Sequence, residues 1–547
     1  MRFSRNISTK LVCDMKKLNA LFASFLFFTA GVSAQIYNII DYGAKADGKT
    51  INTKFIQAAI DRCAQTGGKV IVPAGVFVTG TLYIKNNVTI CLDEAAKIMG
   101  SSSFSDYPDN EVNYKNFFTH FPDGSSRTNK ALFFAEGISN IAIIGKGTID
   151  GNGTSADFNL GDDALSAKSK ERPCTILFVN CKKITLMDIH LTNPAYWLQN
   201  YINCDGIHLK GLTIYNHSNY NVDGMDIDSR NVLIEDCNID SDDDAICFKS
   251  NSRNNICENI VVRNCTIASN CNAIKFGTTS IGGFRNINIS HCTIKGSAES
   301  PFYQWQKILR SIDLPITVIS GIAIEMTDGG VIDGITISDI KMTEVQTPLF
   351  LFLGNRGRKQ VGDTLVAPVG KMENILLRNI TATSHSKMAS SITAFPGYYV
   401  ENVKLENINL TDMGSGDSDD AKIILPEKPT GYPENRIYGD IYPASGIYIR
   451  HAKNIELNKI KLDLRNKDFR SAVIMEDVIG SKINGLRSQL PSGELPVIKL
   501  INCKSFILSN PVFTDTTKAY VGIIHTALKE VIIKKAKLYK GWIKEID

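Results

Sequence analysis

Asn231-Val-Leu-Ile-Glu-Asp, Asn259-Ile-Val-Val-Arg-Asn and Asn286-Ile-Asn-Ile-Ser-His are three copies of one theme, a period-two apolar alternation closed by a turn former. Upstream, Asn140-Ile-Ala-Ile-Ile-Gly, Lys183-Ile-Thr-Leu-Met-Asp and Gly206-Ile-His-Leu-Lys-Gly carry it as well, and the copies lie mostly 23 to 28 residues apart. Alternation rich in β-branched residues predicts strands. A unit this short cannot bury its apolar face alone, so successive units must stack. Strands without helix-length spacers stack as a parallel β-helix. A leucine-rich repeat, the main competitor, would need a Leu-rich consensus that is absent. The expectation is an all-β, right-handed parallel β-helix.

The theme resumes at Asn374-Ile-Leu-Leu, Asn402-Val-Lys-Leu and Asn454-Ile-Glu-Leu, which carries the predicted coil to about residue 515. Open solenoid ends expose apolar rungs and need covers. Thr53 to Gln65 reads as an amphipathic helix placed to cap the N-terminal end. Residues 410–445, rich in Gly, Asp and Pro, read as a long loop, and loops of that length are usually functional or disordered. The tail after 516 has strand-like runs without an assignment.

Length alone would allow several domains among 547 residues, but the repeat favours one elongated domain over 35–547. Hydrophobic residues make up 43% and charged residues 21%, a globular profile. The formal charge of +4 is spread along the chain, which argues against a nucleic-acid partner. From Met15, two lysines, the apolar run Leu21 to Ala30 and Val32-Ser33-Ala34 form a signal-peptide pattern ending before Gln35. A secreted or periplasmic protein is expected, with residues 1–34 removed and no membrane span, since the run is too short. A monomer is expected. Thirteen cysteines in an exported chain invite a disulfide reading, but Cys237, Cys265 and Cys292 recur in one strand register. Free core thiols are the expectation. No Cys or His cluster has zinc spacing.

Carboxylates concentrate in two neighbouring units, Asn221-Val-Asp-Gly-Met-Asp-Ile-Asp and Asp240-Ser-Asp-Asp-Asp-Ala-Ile. Asp223 and Asp243 are 20 residues apart, close to one coil, so stacking sets them side by side. Close carboxylates raise one another's proton affinity and can hold one acid beside ionised bases. Glycoside hydrolysis needs that pairing, an acid for the leaving oxygen and a base for water. A polar turn or a calcium site is the competing reading of the same residues.

Asp41-Tyr-Gly-Ala-Lys-Ala-Asp-Gly-Lys-Thr, Ala58-Ala-Ile-Asp-Arg-Cys and Gly145-Lys-Gly-Thr-Ile-Asp-Gly-Asn-Gly resemble segments of glycoside hydrolase family 28, the polygalacturonases and related pectinases. Asn221-Val-Asp-Gly and Asp243-Asp244 are similar to the family's Asn-Thr-Asp and paired-Asp motifs. The resemblance implies an inverting hydrolase acting on a pectic polysaccharide. Asp243 would be the general acid, Asp223 with Asp244 would activate water, and Asn221 would brace Asp223 or simply fill a turn. The scheme implies no metal and no cofactor.

Two family elements are altered. The Gly-His-Gly position reads Cys271-Asn272-Ala273, and the Arg-Ile-Lys position, which holds the uronate carboxylate in polygalacturonases, reads Ala323-Ile324-Glu325. An acid there opposes an anionic sugar, so a neutral sugar such as rhamnose, or a differently oriented uronate, becomes an alternative. Candidate substrate contacts are Asn221, Asn272, Lys275, Glu325 and Arg356, with Lys275 and Arg356 as replacement cations. Solvated surface roles compete for both, and for Arg358. Tyr196-Trp197 offer either a sugar-stacking face or core packing. Tyr448, Arg450 and His451, beyond the long loop, are weaker cleft candidates. A pectate lyase, eliminating with calcium and a base, and a non-catalytic carbohydrate-binding solenoid are the alternatives of other classes.

Overall fold

The computed structural model describes residues 35–112, 129–158, 171–298, 300, 311–314, 317–359, 365–428, 430–512, 520–534 and 542–546. The signal-peptide expectation lies outside them. The strands join one continuous set of parallel pairings, each strand paired with its equivalent on the next coil. That is a parallel β-helix.

The turn formers explain the repeat. Asn140, Asn180, Asn203, Asn231, Asn259, Asn286, Asn374, Asn402 and Asn454 all sit at φ between +51° and +59°. Among residues with a side chain, Asn is one of the few that tolerates this left-handed region. Its amide then bonds the equivalent residue on the neighbouring coil. Asn231 Nδ2 donates to Asp205 Oδ1 at 2.7 Å, Asn259 Nδ2 to Asn231 Oδ1 at 3.2 Å, and Asn286 Nδ2 to Asn259 Oδ1 at 2.8 Å. A corner of every coil is thereby tied to the next.

Strands that position the site are β1 (Gln199–Lys210), β2 (Met225–Glu235), β3 (Ile246–Ser250), β4 (Asn272–Ser280), β5 (Val318–Met326), β6 (Val331–Leu353), β7 (Ser390–Ala394) and β8 (Ala444–Lys453). Ile227, Phe248, Phe276, Ile324, Leu351, Ile392 and Ile449 pair rung by rung across β2 to β8 and point inward. All are buried, and the Phe248 and Phe276 rings lie 4.8 Å apart. Side chains alternate in direction along a strand, so the residues immediately before these, Asp226, Cys247, Lys275, Ala323, Phe350, Ser391 and Tyr448, form an outward column.

The expected helix is α1 (Thr53–Thr66), one residue longer than its predicted span. It buries Ile56, Ala59, Ile60 and Cys63, an i, i+3, i+4, i+7 face, and ends at Gly67, which takes φ +71°. The twelve described cysteines are free thiols, and all but Cys91 are buried. No helix among the described residues is long and apolar enough to cross a membrane.

Two boundaries differ from expectation. The long loop is 413–443, because the strand Val400–Asp412 runs into its predicted start and β8 begins at Ala444. Its only regular element among the described residues is the 3-10 turn Asp420–Lys422. The coil also passes residue 515: Val521–Ile524, Val531–Lys534 and Ile543–Glu545 add parallel pairings. Interspersed lysines had hidden their alternation.

Candidate active site

Asp223 ends the turn before β2, and Asp243 and Asp244 end the turn before β3, one coil on. Gly224 N donates to Asp244 O at 2.8 Å, Ala245 N to Asn272 O at 2.9 Å, and Leu198 N to Asp223 O at 3.0 Å. This register stacks Trp197, Asp223, Asp244 and Asn272 on successive rungs, about 4.8 Å apart in any sheet. A carboxylate oxygen of Asp223, one of Asp244 and the Cys247 thiol fall within 4.8 Å of one another, as do oxygens of Asp243 and Asp244 and the Cys271 thiol. Asp223 and Asp244 are buried, whereas Asp243 is partly exposed. Its Oδ1 accepts from Asp244 N at 2.9 Å, and its carbonyl accepts from Ser269 Oγ at 2.8 Å. The three aspartates therefore converge beside one open surface.

Their environments set them apart. Burial opposes ionisation of Asp244, but the Lys275 ammonium, 3.0 Å from its Oδ2, together with Lys249 and Asn272 more than offsets this and pulls the carboxyl down to about 2. Asn272 Nδ2 adds a bond to Asp244 Oδ1 at 2.8 Å. Asp223 is pushed well above the usual carboxylate range by burial and by the nearby Asp226 and Asp243 charges, with Lys249 pulling the other way. The cluster thus sets an ionised carboxylate, Asp244, beside one of raised proton affinity, Asp223, an arrangement acid/base chemistry uses.

Of the remaining sequence candidates, Lys275 and Asn272 are locked on Asp244. Asn221 adopts φ +56° and turns its amide oxygen toward Arg172 Nη2 at 3.4 Å. Buried Arg172 also donates to Ala195 O and Tyr220 O at 2.8 Å each, pinning the turn that delivers Asp223. Glu325 is completely buried on β5, and neither carboxylate oxygen has a hydrogen-bond partner among the described residues. Burial raises its carboxyl to about 8, against the pull of Lys275. Gly277, on the adjoining rung, leaves the room its carboxylate occupies, since a Cβ there would come within 3.4 Å of Oε2. Arg356 donates Nε to Asp328 Oδ1 at 2.9 Å and Nη2 to Asp328 Oδ2, so its fork is already committed to a carboxylate. Arg358 is partly exposed on the same loop.

Tyr196 and Trp197 are buried, their ring centroids 4.8 Å apart, in an outer cluster with Phe134 and Leu177. Arg450 donates to Leu425 O at 2.9 Å and Pro426 O at 3.1 Å and lies against Tyr438 and Tyr448. His451 bonds Asp477 at 2.7 Å and Glu427 at 3.1 Å. These two, with Tyr448, anchor the 413–443 loop.

Several residues escaped sequence reasoning. Lys249 lies 3.3 Å from Asp226 Oδ1 and 3.7 Å from Asp223 Oδ2. His217 bridges Asp242 at 2.6 Å and Asp240 at 3.1 Å, bracing the Asp243 turn from behind. Tyr432, from the long loop, meets Thr278 Oγ1 at 3.1 Å with its ring 5.7 Å from Lys275 Nζ. Strand parity was the available signal for Lys249, two residues after Cys247 and hence on the same outward face. Nothing local announced Tyr432.

Residues 63–301 match the family model of glycosyl hydrolases family 28. The chain is 30% identical over 252 residues to an exo-poly-alpha-D-galacturonosidase of Dickeya chrysanthemi, covering 39% of this chain and 42% of that protein. It is 23% identical over 400 residues to polygalacturonase-2 of Solanum lycopersicum, covering 69% and 75%. The match thus spans less than half of the Dickeya protein. The solved exopolygalacturonase of Thermotoga maritima shares the fold, with TM-score 0.61 and 17% identity over 82% of this chain and 96% of that one.

Proposed function

We propose that the chain is a family 28 glycosyl hydrolase, as the match over residues 63–301 supports, and that it hydrolyses a glycosidic bond in a pectic polysaccharide of galacturonan or rhamnogalacturonan type, with inversion. The convergence of Asp223, Asp243 and Asp244, with Asp243 alone of the three open to the surface, carries this reading. Asp243 delivers a proton to the leaving oxygen. Asp244, ionised by its lysine neighbours, acts with the charged form of Asp223 to take a proton from the attacking water. The protein groups complete this cycle by themselves.

The relatives' printed activities, exo-poly-alpha-D-galacturonosidase and polygalacturonase among them, favour a galacturonan substrate. A rhamnogalacturonan backbone is the second reading. It is favoured by Glu325 and by the commitment of both Lys275 and Arg356 to carboxylates of the protein, which leaves a uronate without an obvious cation at that end. Tyr432 over Lys275 narrows the surface there and favours cleavage from a chain end. The same proposal includes right-handed winding, α1 as the N-terminal cover, a single domain over 35–547, export by the Met15 signal and a monomeric enzyme.

The test is a substrate panel of polygalacturonan, rhamnogalacturonan I and rhamnogalacturonan II fragments. Hydrolysis releases reducing ends without the unsaturated uronide chromophore, and proton NMR of the first product reports the anomeric configuration. A chromophore would replace this reading by an eliminase. Inactivity on all three substrates would leave a binding solenoid.

A further inference from the structure

Four carboxylates, Asp223, Asp226, Asp243 and Asp244, share this site with two ammonium groups, Lys249 and Lys275. The two cations are divided unequally. Lys275 is committed to Asp244 at 3.0 Å. Lys249 comes from β3 and straddles Asp226 and Asp223, at 3.3 and 3.7 Å. Its outer side is closed by Trp197, whose ring centroid lies 5.9 Å from Nζ, and its side chain is only 11% exposed. Cys247 precedes it on the same face, and the Lys275 rung follows. A lysine held between two acids beside an aromatic ring is placed to act on those acids.

We propose that Lys249 is a positioning residue of the hydrolytic site: shared between Asp226 and Asp223, its ammonium holds the Asp223 carboxylate in place and biases it toward the charged form that water activation needs. This rests on the hydrolase reading above. Physically, Asp223 is squeezed by burial and by the negative charges of Asp226, Asp243 and Asp244, and Lys249, which also favours the charge on Asp244, is the foremost group acting in the opposite direction. An opposite charge at this range moves a carboxyl by about 1–3 pH units. Burial opposes the Lys249 charge, and Cys247, Asp226 and Asp223 together outweigh it, so the cation persists at any working pH. Its two acidic partners have opposed effects. Asp223 uses the cation, and Asp226 both competes for it and adds a repelling charge.

The test is the pH profile of kcat/KM for wild type, Lys249→Met, Lys249→Arg and Asp226→Asn, with circular dichroism to verify folding. Removing the cation raises the Asp223 carboxyl, so the acidic limb moves to higher pH by about one unit or more. Activity on that limb falls at least about tenfold while KM stays within about twofold, and part of the loss returns as the pH rises. Lys249→Arg keeps the limb near its wild-type position. Asp226→Asn moves the limb the other way, to lower pH, and decides the matter alone should Lys249→Met not fold. A loss in Lys249→Met that is equal at every pH, or an upward shift in Asp226→Asn, overturns the proposal. Wild-type inactivity across the substrate panel would instead remove the hydrolase reading on which it stands.

Discussion

Replacing Lys275 by Met tests whether the site is built on a buried ion pair. The ammonium is 3.0 Å from Asp244 Oδ2, and the two side chains are 3% and 4% exposed, so solvent does little to screen them. Asp244 is lowered from 3.8 to about 2 in spite of burial. Roughly two pH units at about 1.4 kcal/mol each put the bias toward the ionised form near 2–3 kcal/mol. Cutting one partner from a buried pair costs somewhat more, about 3–5 kcal/mol, because the other charge is left in a poor solvent. The sign with pH follows from linkage. A depressed folded-state carboxyl contributes stability above its unfolded value near 4, and that contribution is lost as pH falls toward about 2. Without Lys275 most of that contribution goes, so the variant's deficit is full above about pH 4 and shrinks as the pH falls toward 2. Urea midpoints at about pH 2.5 and pH 7 provide the assay, with kcat followed in parallel at neutral pH. The expected result is a loss of about 3 kcal/mol at pH 7, a clearly smaller loss at the acidic pH, and a fall in kcat as Asp244 loses its partner. An equal loss at both pH values would mean that Lys275 matters only for packing, and no loss would refute the reasoning.

Glu325, raised by burial from 4.5 to about 8, contributes stability that is full below pH 4.5 and is lost as pH climbs toward 8. The wild type should therefore lose up to about 3–5 kcal/mol across that window, and Glu325→Gln should flatten the slope in urea melts at stepped pH. His217 behaves similarly at higher pH: burial opposes its charge, but Asp240 and Asp242 more than offset this and bring it to about 9. His217→Gln should cost about 2–3 kcal/mol at pH 6, and the difference from wild type should shrink as the pH rises from 6.5 to about 9. In the coil interior, Phe276→Ala removes a ring packed between Phe248, tilted against it, and Phe284, edge-on to it, and should lower stability by about 3–5 kcal/mol, read from the urea midpoint.

The coil was legible in the sequence because two of its requirements are local. Alternation marks which side chains fill the interior, and Asn259 or Asn286 stands wherever the chain must pass through positive φ and bond the next coil. The last rungs were obscured because Val531-Ile-Ile-Lys mixes lysine into the same pattern. The three aspartates were legible as a cluster whose members are near one coil apart. Their partners were not. Lys249 reaches Asp226 only through strand parity and stacking, and the loop residue Tyr432 meets Thr278 across 154 positions of sequence. Arg356, expected to offer a cation to the substrate, is committed to Asp328 one coil back, a pairing that depends on the turns between them. Tyr196 and Trp197 took their packing role because the outer cluster around Phe134 and Leu177 surrounds them.

The most direct measurement is reducing-end release from polygalacturonan and rhamnogalacturonan by Asp243→Asn beside wild type. Asn keeps the shape of the side chain but carries no proton to deliver to the leaving oxygen. Loss of a positioned general acid lowers kcat by about 100- to 10,000-fold, with folding and substrate affinity retained. A variant that turns over like wild type would show that the proton comes from elsewhere and that the three aspartates do not form the catalytic centre.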